Sequence, residues 1–370
     1  MVKFNPIVAA LPDTVPFVAP EETERRAGRG FRARLGANEG NFGPSPQAIE
    51  AMQRAARDEA WKYCDPTAHD LRVALAAKLG IAPGEVIAGP GIDGLLGLIV
   101  RIFSDVGDTI VTSLGAYPTF NFHVSAHGRT LHPVPYAGAH EDLDALADAA
   151  RTQRAAIVYV SNPDNPMGTW WDASAITRFC DTVPRECLIV LDEAYGETAP
   201  PGTLPSIDTS RPNLIRLRTF SKAYGLAGLR CGYAFGHDSL ITPFHRVRDH
   251  FGVNVIAQAA ALAALGAHDW LAEMAATIAD GRERIAAIAE ENGLTSVASA
   301  TNFVALDCGG DGAFANHVLQ AMMRAGVFVR KPMTPGLDHH IRVSVGRKEE
   351  LDVLEEVLPA ALAAAAERSA

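Results

Sequence analysis

Leu188-Ile189-Val190-Leu191-Asp192-Glu193-Ala194-Tyr195 sets four aliphatic residues in a row ahead of two acids and a phenol. An unbroken apolar run of this length reads as a strand buried on both faces, as in a parallel sheet covered by helices on either side. Open sheets of that kind bind ligands beyond the carboxyl ends of their strands. Asp192, Glu193 and Tyr195 fall at that end.

Outward from this run, short apolar segments at 85–88, 109–112, 156–160 and 214–216 alternate with helical stretches. The alternation predicts an α/β fold with a mostly parallel sheet over about 83–234. Past His268 the pattern changes. Asp269 is expected to cap a helix over 270–292 that Gly293 stops, followed by a strand at 302–307 and a helix over 314–325. Strands at 327–330 and 341–345 and a closing helix over 348–368 complete a smaller α+β unit. The expected division is an arm, 1–44, packing with the small domain, a large domain, 45–262, and a small domain, 263–370.

With 370 residues, 48% of them hydrophobic, the chain can bury a core of that size. Its 33 basic and 43 acidic side chains give a net charge of -10, so no basic excess is available to displace counterions from nucleic acid. The cysteines, Cys64, Cys180, Cys187, Cys231 and Cys308, are odd in number and widely spaced. That pattern suits a reducing, cytoplasmic setting and offers neither a zinc knuckle nor a redox pair. Pro6 and Pro12 bracket the short apolar stretch 7–11, so no signal peptide is expected. The most apolar segment, 255–267, is too short to span a bilayer, which takes roughly 18 residues or more.

Gly89-Pro90-Gly91-Ile92-Asp93-Gly94 follows a strand and opens a helix, which formally matches a dinucleotide fingerprint. The acid that would hold a ribose is missing, since the next strand ends at Ser113. What remains is a helix amino terminus suited to a single phosphate. Magnesium-dependent nucleotide hydrolysis at Asp192 lacks a partner as well, because no Gly-Lys-Ser or Gly-Lys-Thr loop occurs. The most informative stretch is Thr219-Phe220-Ser221-Lys222-Ala223-Tyr224-Gly225-Leu226-Ala227-Gly228-Leu229-Arg230. Here one lysine sits among small residues that leave room for a ring, hydroxyls that can donate to a phosphate, and an arginine that can neutralise it. Ser161-Asn162-Pro163-Asp164-Asn165-Pro166-Met167-Gly168 alone is a turn, and beside the others it offers Asn165 as an amide donor at the same sheet edge.

In one order along nearly the whole chain come Asn38-Glu39, Tyr63-x-Asp65, Gly91-Ile92-Asp93, Pro118-Thr119-Phe120, Asn165-Pro166-x-Gly168, Asp192-Glu193-Ala194-Tyr195, Ser221-Lys222 with Arg230, and Ile341-Arg342-Val343-Ser344-Val345-Gly346. This ordered set resembles the fold-type I pyridoxal 5'-phosphate aminotransferases of class I/II, and within them the histidinol-phosphate aminotransferase branch. The resemblance implies that Lys222 carries the cofactor as a Schiff base and shuttles a proton between substrate Cα and cofactor. It implies that Asp192 pairs with the pyridinium nitrogen, that Tyr195 and Asn165 bond the ring oxygen, and that Phe120 stacks on the ring. The phosphate is expected on the backbone of Ile92 and Asp93 with Thr219, Ser221 and Arg230 around it. A Tyr63 from a neighbouring subunit completes that cradle, so a homodimer is implied. Gly94, Met167 and Phe120 depart from the usual acid, threonine and tyrosine, and the last removes a hydroxyl near the substrate.

The same resemblance makes Arg342 and Arg330 the grip on the anionic end of the substrate, with Asn38 beside it; planar guanidinium forks suit phosphate and carboxylate alike. The implied reaction is a ping-pong transfer of an amino group from a small donor of the histidinol phosphate type to a 2-oxo acid such as 2-oxoglutarate. An aromatic or other amino-acid aminotransferase and a phosphothreonine-type decarboxylase share the scaffold. A regulatory domain without turnover would show no activity across an amine panel, and a nicotinamide dehydrogenase would bind dinucleotide.

Overall fold

A computed structural model describes residues 2–12 and 18–369, so 13–17, within the expected arm, lie outside the described residues. The strands in chain order are β1 (Ala33–Arg34), β2 (Val86–Gly89), β3 (Thr109–Ser113), β4 (Thr130–Val134), β5 (Ile157–Ser161), β6 (Leu188–Asp192), β7 (Leu214–Thr219), β8 (Gly232–Gly236), β9 (Thr295–Ser296), β10 (Phe303–Asp307), β11 (Val327–Phe328) and β12 (His340–Ser344).

Seven of them form one sheet in the order β2-β8-β7-β6-β5-β3-β4. All its pairings are parallel except those of β8, which runs against β7 and β2. Every residue of β5 and β6 is buried. One face of the sheet packs Leu95, Ile99, Phe120 and Val190 together, the other Val111, Val158, Ile189 and Leu191. Parallel strands with both faces covered cannot alternate in polarity, which is why these runs are continuous in sequence. Their common direction brings Ser113, Ser161, Asp192 and Thr219, the last residues of four strands, to one edge.

A three-stranded antiparallel sheet, β12-β10-β9, packs on the long helix His268–Glu291 and on the helices Gly312–Arg324 and Lys348–Ser369 through Ile285, Val304, Val343 and Leu354. The strand β1 from the amino-terminal segment pairs in parallel with β11. Among the described residues, no single helix is long and apolar enough to cross a membrane.

Three expectations at the level of elements need correction. The long helix starts at His268 with Ala267 in the cap position and no side-chain cap, so Asp269 lies in its first turn, where its charge complements the helix dipole. Strand β11 stops at Phe328, and Arg330 joins β12 only through an isolated bridge to Arg342. Strand β7 runs on to Thr219, which puts that hydroxyl at the strand end itself. Strand β4 escapes a reading by apolar runs because it is a half-exposed edge strand carrying Pro133, a residue that a central strand excludes.

Candidate active site

Strand β6 ends on Asp192, whose carboxylate is 5% exposed. One of its oxygens accepts the Ala194 N–H at 2.9 Å and the other the Tyr159 hydroxyl at 2.8 Å. Burial pushes its pKa up to about 6, against the opposing pull of these donors and of the Lys222 charge. A carboxylate has room for about four donors, so Asp192 can accept a further cationic N–H.

Strand β7 delivers the facing group. Three residues beyond its end, the Lys222 Nζ donates to the Asn38 carbonyl at 2.9 Å and lies 5.4 Å from the centre of the Tyr195 ring. Desolvation lowers its pKa to about 8, helped by the nearby Arg342 and Arg230 charges, so about a tenth is neutral amine at pH 7, far more than for an ordinary lysine. The Tyr195 hydroxyl accepts the Asn38 side-chain amide at 3.0 Å. Asn38 is held in a left-handed conformation, φ 53°, with Ser344 bonded to its backbone N–H and to its side-chain oxygen. Asparagine is one of the few side chains that adopts this region readily.

Beside Lys222 lies an anion cradle. The helix Gly91–Phe103 has Pro90 at its cap position and no side-chain cap, leaving first-turn N–H groups such as those of Ile92 and Asp93 open to an anion. The Asp93 carboxylate turns away to pair with His123 at 2.9 Å. Opposite stand Ser221 and Thr219, whose hydroxyls bond each other at 3.0 Å, and Arg230, with Nη1 3.4 Å from the Ser221 hydroxyl. Gly91, at φ 77°, keeps the cradle open: a Cβ there would sit 2.6 Å from an Arg230 nitrogen. The donor set, with anion-binding groups at one end and a buried carboxylate acceptor at the other, matches the chemistry of a ring that carries both a phosphate and a basic nitrogen.

From strand β12, Arg342 donates to the Asn165 side-chain oxygen at 2.6 Å, which leaves the Asn165 amide as a donor. The Arg342 Nε is buried without a partner, an arrangement that costs free energy until an acceptor arrives. Arg330 exchanges backbone hydrogen bonds with Arg342 and donates from Nη2 to the Val18 carbonyl. Burial, and then the Arg342 charge, lowers its pKa to about 10. The Arg342 charge acts on Arg330, and an anion bound beside both would offset that repulsion.

The structure thus brings Lys222, Asp192, Tyr195, Asn38, Asn165, Arg342 and Arg330 into one cleft, with Ile92, Asp93, Thr219, Ser221 and Arg230 along its edge. Two expected residues stand apart. Tyr63 is 81% exposed and stacks on Phe251 at 4.5 Å, on the outside of its own chain. Phe120 is fully buried, with its ring stacked on Tyr159 at 4.4 Å, so it has no face to offer a ligand. This corrects the expected stacking position. The aromatic at the site is Tyr117, half-buried at the start of the helix Pro118–Ala126, where burial raises its pKa and the charges of Asp93, Asp192 and Arg230 reach it. Sequence reasoning missed it, and also Tyr159. A signal existed for Tyr117, since it immediately follows the Gly115-Ala116 turn at the end of β3.

A family model for class I and II aminotransferases matches residues 33–358. The histidinol-phosphate aminotransferase of Anaeromyxobacter sp. (strain Fw109-5) is 39% identical over 349 residues, covering 93% of this chain and 95% of that protein. Histidinol-phosphate aminotransferase 2 of Pseudomonas aeruginosa is 38% identical, covering 97% of each. Among solved structures, the histidinol-phosphate aminotransferase of Sinorhizobium meliloti in complex with pyridoxal-5'-phosphate superposes with a TM-score of 0.95 at 47% identity, over 98% of each chain. Aspartate aminotransferase from Thermus thermophilus with maleate shares the fold, at a TM-score of 0.84 and 22% identity. On the extent of the family match and the identity of these relatives, this chain belongs to the class I and II aminotransferases.

Proposed function

We propose that this aminotransferase moves an amino group from histidinol phosphate, or a closely similar amino phosphate, to a 2-oxo acid such as 2-oxoglutarate. Its cofactor is pyridoxal phosphate. That group supplies an aldehyde that condenses with amines and a pyridinium ring that takes up the electron pair left when a substrate Cα loses its proton. The observation that carries the reading is the placement of a partly neutral Lys222 amine and a buried Asp192 carboxylate beside free helix N–H groups, Ser221 and Arg230.

In this assignment Lys222 would hold the cofactor through its aldehyde, and as a free amine it would move the proton at substrate Cα. Asp192 holds the ring nitrogen protonated. Tyr195 and the free amide of Asn165 bond the ring oxygen, while Tyr117 covers the ring face in place of Phe120. Ile92 and Asp93 offer backbone N–H groups to the phosphate, and Thr219, Ser221 and Arg230 close around it. Asn38 keeps Lys222 and Tyr195 oriented through two hydrogen bonds.

The substrate assignment is supported by the names that the relatives bear and by the paired guanidinium groups of Arg342 and Arg330. Arg342→Ala is expected to raise KM for the anionic substrate about tenfold or more, the scale of losing hydrogen bonds to a charged group. An unchanged KM would put the anion site elsewhere. Incubating the enzyme with histidinol phosphate and 2-oxoglutarate should release glutamate faster than with aromatic amino acids or phosphothreonine as donors. Release of carbon dioxide instead would replace transfer by decarboxylation.

The active assembly is a homodimer in the same proposal, with Tyr63 of one chain reaching the phosphate held by the other. The exposed, stacked pair of Tyr63 and Phe251 supports this, since contiguous bare apolar surface marks an interaction site. Tyr63→Ala should therefore raise the cofactor Kd roughly tenfold, although in its own chain this side chain touches none of the cradle. Equal affinity in equilibrium dialysis would remove the cross-subunit contact. The division into arm, 1–44, large domain, 45–262, and small domain, 263–370, belongs to this reading, with the cleft where residues from the seven-stranded sheet meet Arg342 of β12.

A further inference from the structure

Strand β5 reads Ile157-Val158-Tyr159-Val160-Ser161, and its one large polar side chain is fully buried. Leaving a buried hydroxyl unbonded costs free energy, so where this phenol finds its partner is informative. The Tyr159 hydroxyl donates to an Asp192 oxygen at 2.8 Å. Its ring is fixed by Phe120, stacked at 4.4 Å with the planes 19° apart. Phe120 is itself locked among Leu95, Leu96 and Val124. Burial and the adjacent carboxylate both raise the Tyr159 pKa, so this hydroxyl stays protonated and can act toward Asp192 only as a donor.

We propose that Tyr159, backed by Phe120, is a positioning residue for the reaction: it fixes the rotation of the Asp192 carboxylate and keeps that carboxylate ionised toward the cofactor nitrogen. The inference rests on the reading of Asp192 given above. With the Ala194 N–H on the other oxygen, the carboxylate is held at both ends while each oxygen keeps lone-pair capacity for a further donor. A charge-assisted hydrogen bond of this kind outweighs a neutral one. Loss of the clamp would let Asp192 turn and would favour its protonated form. Other titratable groups that act on Asp192 or feel its charge are Lys222, Glu193, Glu141, Tyr117 and Tyr195.

Tyr159→Phe removes one oxygen and leaves the stack intact. In the holoenzyme kcat is expected to fall roughly tenfold, the equivalent of one hydrogen bond to a charged group, with KM for the amino donor nearly unchanged. The acid limb of kcat/KM should move to higher pH, since an Asp192 without its phenolic donor holds its proton longer. In an Asp192→Asn background the same substitution should change kcat less than about twofold, because neighbours acting through one group are non-additive. Equal losses in both backgrounds, or an unmoved acid limb, would make Tyr159 a packing residue and overturn the proposal. Should Tyr159→Phe fold poorly, Phe120→Leu tests the same clamp from behind, and wild-type kcat and pH profile in that variant would count against it. A wild-type chain that takes up no cofactor on Lys222 would sink the functional reading and this proposal with it. A normal holoenzyme with a wild-type-like Tyr159→Phe sinks the proposal alone.

Discussion

Lys222→Ala should lower kcat by roughly 10⁴-fold, the upper end of what one positioned proton-transfer group contributes, and leave a folded protein. Both halves follow from the surroundings of one nitrogen. Lys222 Nζ is held between Asn38 and the Tyr195 ring, and its pKa of about 8 keeps neutral amine available near neutral pH. Among the described residues, Lys331, the lysine nearest in sequence to Arg330 and Arg342, is engaged elsewhere, donating to the Pro332 and Asp338 carbonyls. The fold survives because the Asn38 carbonyl keeps the Asn302 amide, at 3.2 Å, as a donor. A variant with more than a hundredth of wild-type kcat would show that another base serves the reaction. Circular dichroism would confirm that the loss is chemical.

Asp192→Asn should move activity and stability in opposite directions. An amide cannot hold the ring nitrogen in its cationic form, so kcat should drop about 10²–10³-fold, as when a preorganised electrostatic partner is removed from a site. The cofactor should stay bound, because the cradle at Ile92, Asp93, Ser221 and Arg230 is untouched. Stability follows from the sign of the shift. The Asp192 carboxyl has a pKa of about 6 in the fold against 3.8 when unfolded, so the folded state binds the proton more tightly. Stability on account of this group is complete below pH 3.8 and is lost as pH rises through 6. Held ionised at neutral pH without cofactor, Asp192 therefore costs about 3 kcal/mol. The cofactor-free Asp192→Asn protein should melt higher than wild type at pH 7.5, with the gap closing toward pH 4. A lower melting temperature at pH 7.5 would show that the carboxylate stabilises the empty site.

How much of this was legible in the sequence depended on what each residue's neighbours in space had to supply. Strands β5 and β6 were legible because burial on both faces leaves unbroken apolar runs. Strand β4 was not, since an edge position tolerates both polar residues and Pro133. Lys222, Ser221, Thr219 and Arg230 could be grouped in advance because strand β7 and the turn after it carry them as one local unit. The aromatic at the cleft could not be chosen between Tyr117 and Phe120. The choice hinges on where the helix starts: Tyr117 stands in the cap position with non-helical backbone, whereas Phe120 lies inside the helix and is buried. Tyr159 was illegible for a different reason: in a strand buried on both faces, no alternation tells which residues look toward the sheet's functional edge and which toward packing.

The chemistry assigned to this chain needs one covalent link. Treating the yellow holoenzyme with borohydride, digesting it and mapping the modified peptide should find the reduced pyridoxyl group on Lys222, in the peptide that contains Ser221 and Ala223, at close to one per chain. An unmodified Lys222 in fully loaded protein, or the adduct on another lysine, would contradict the account.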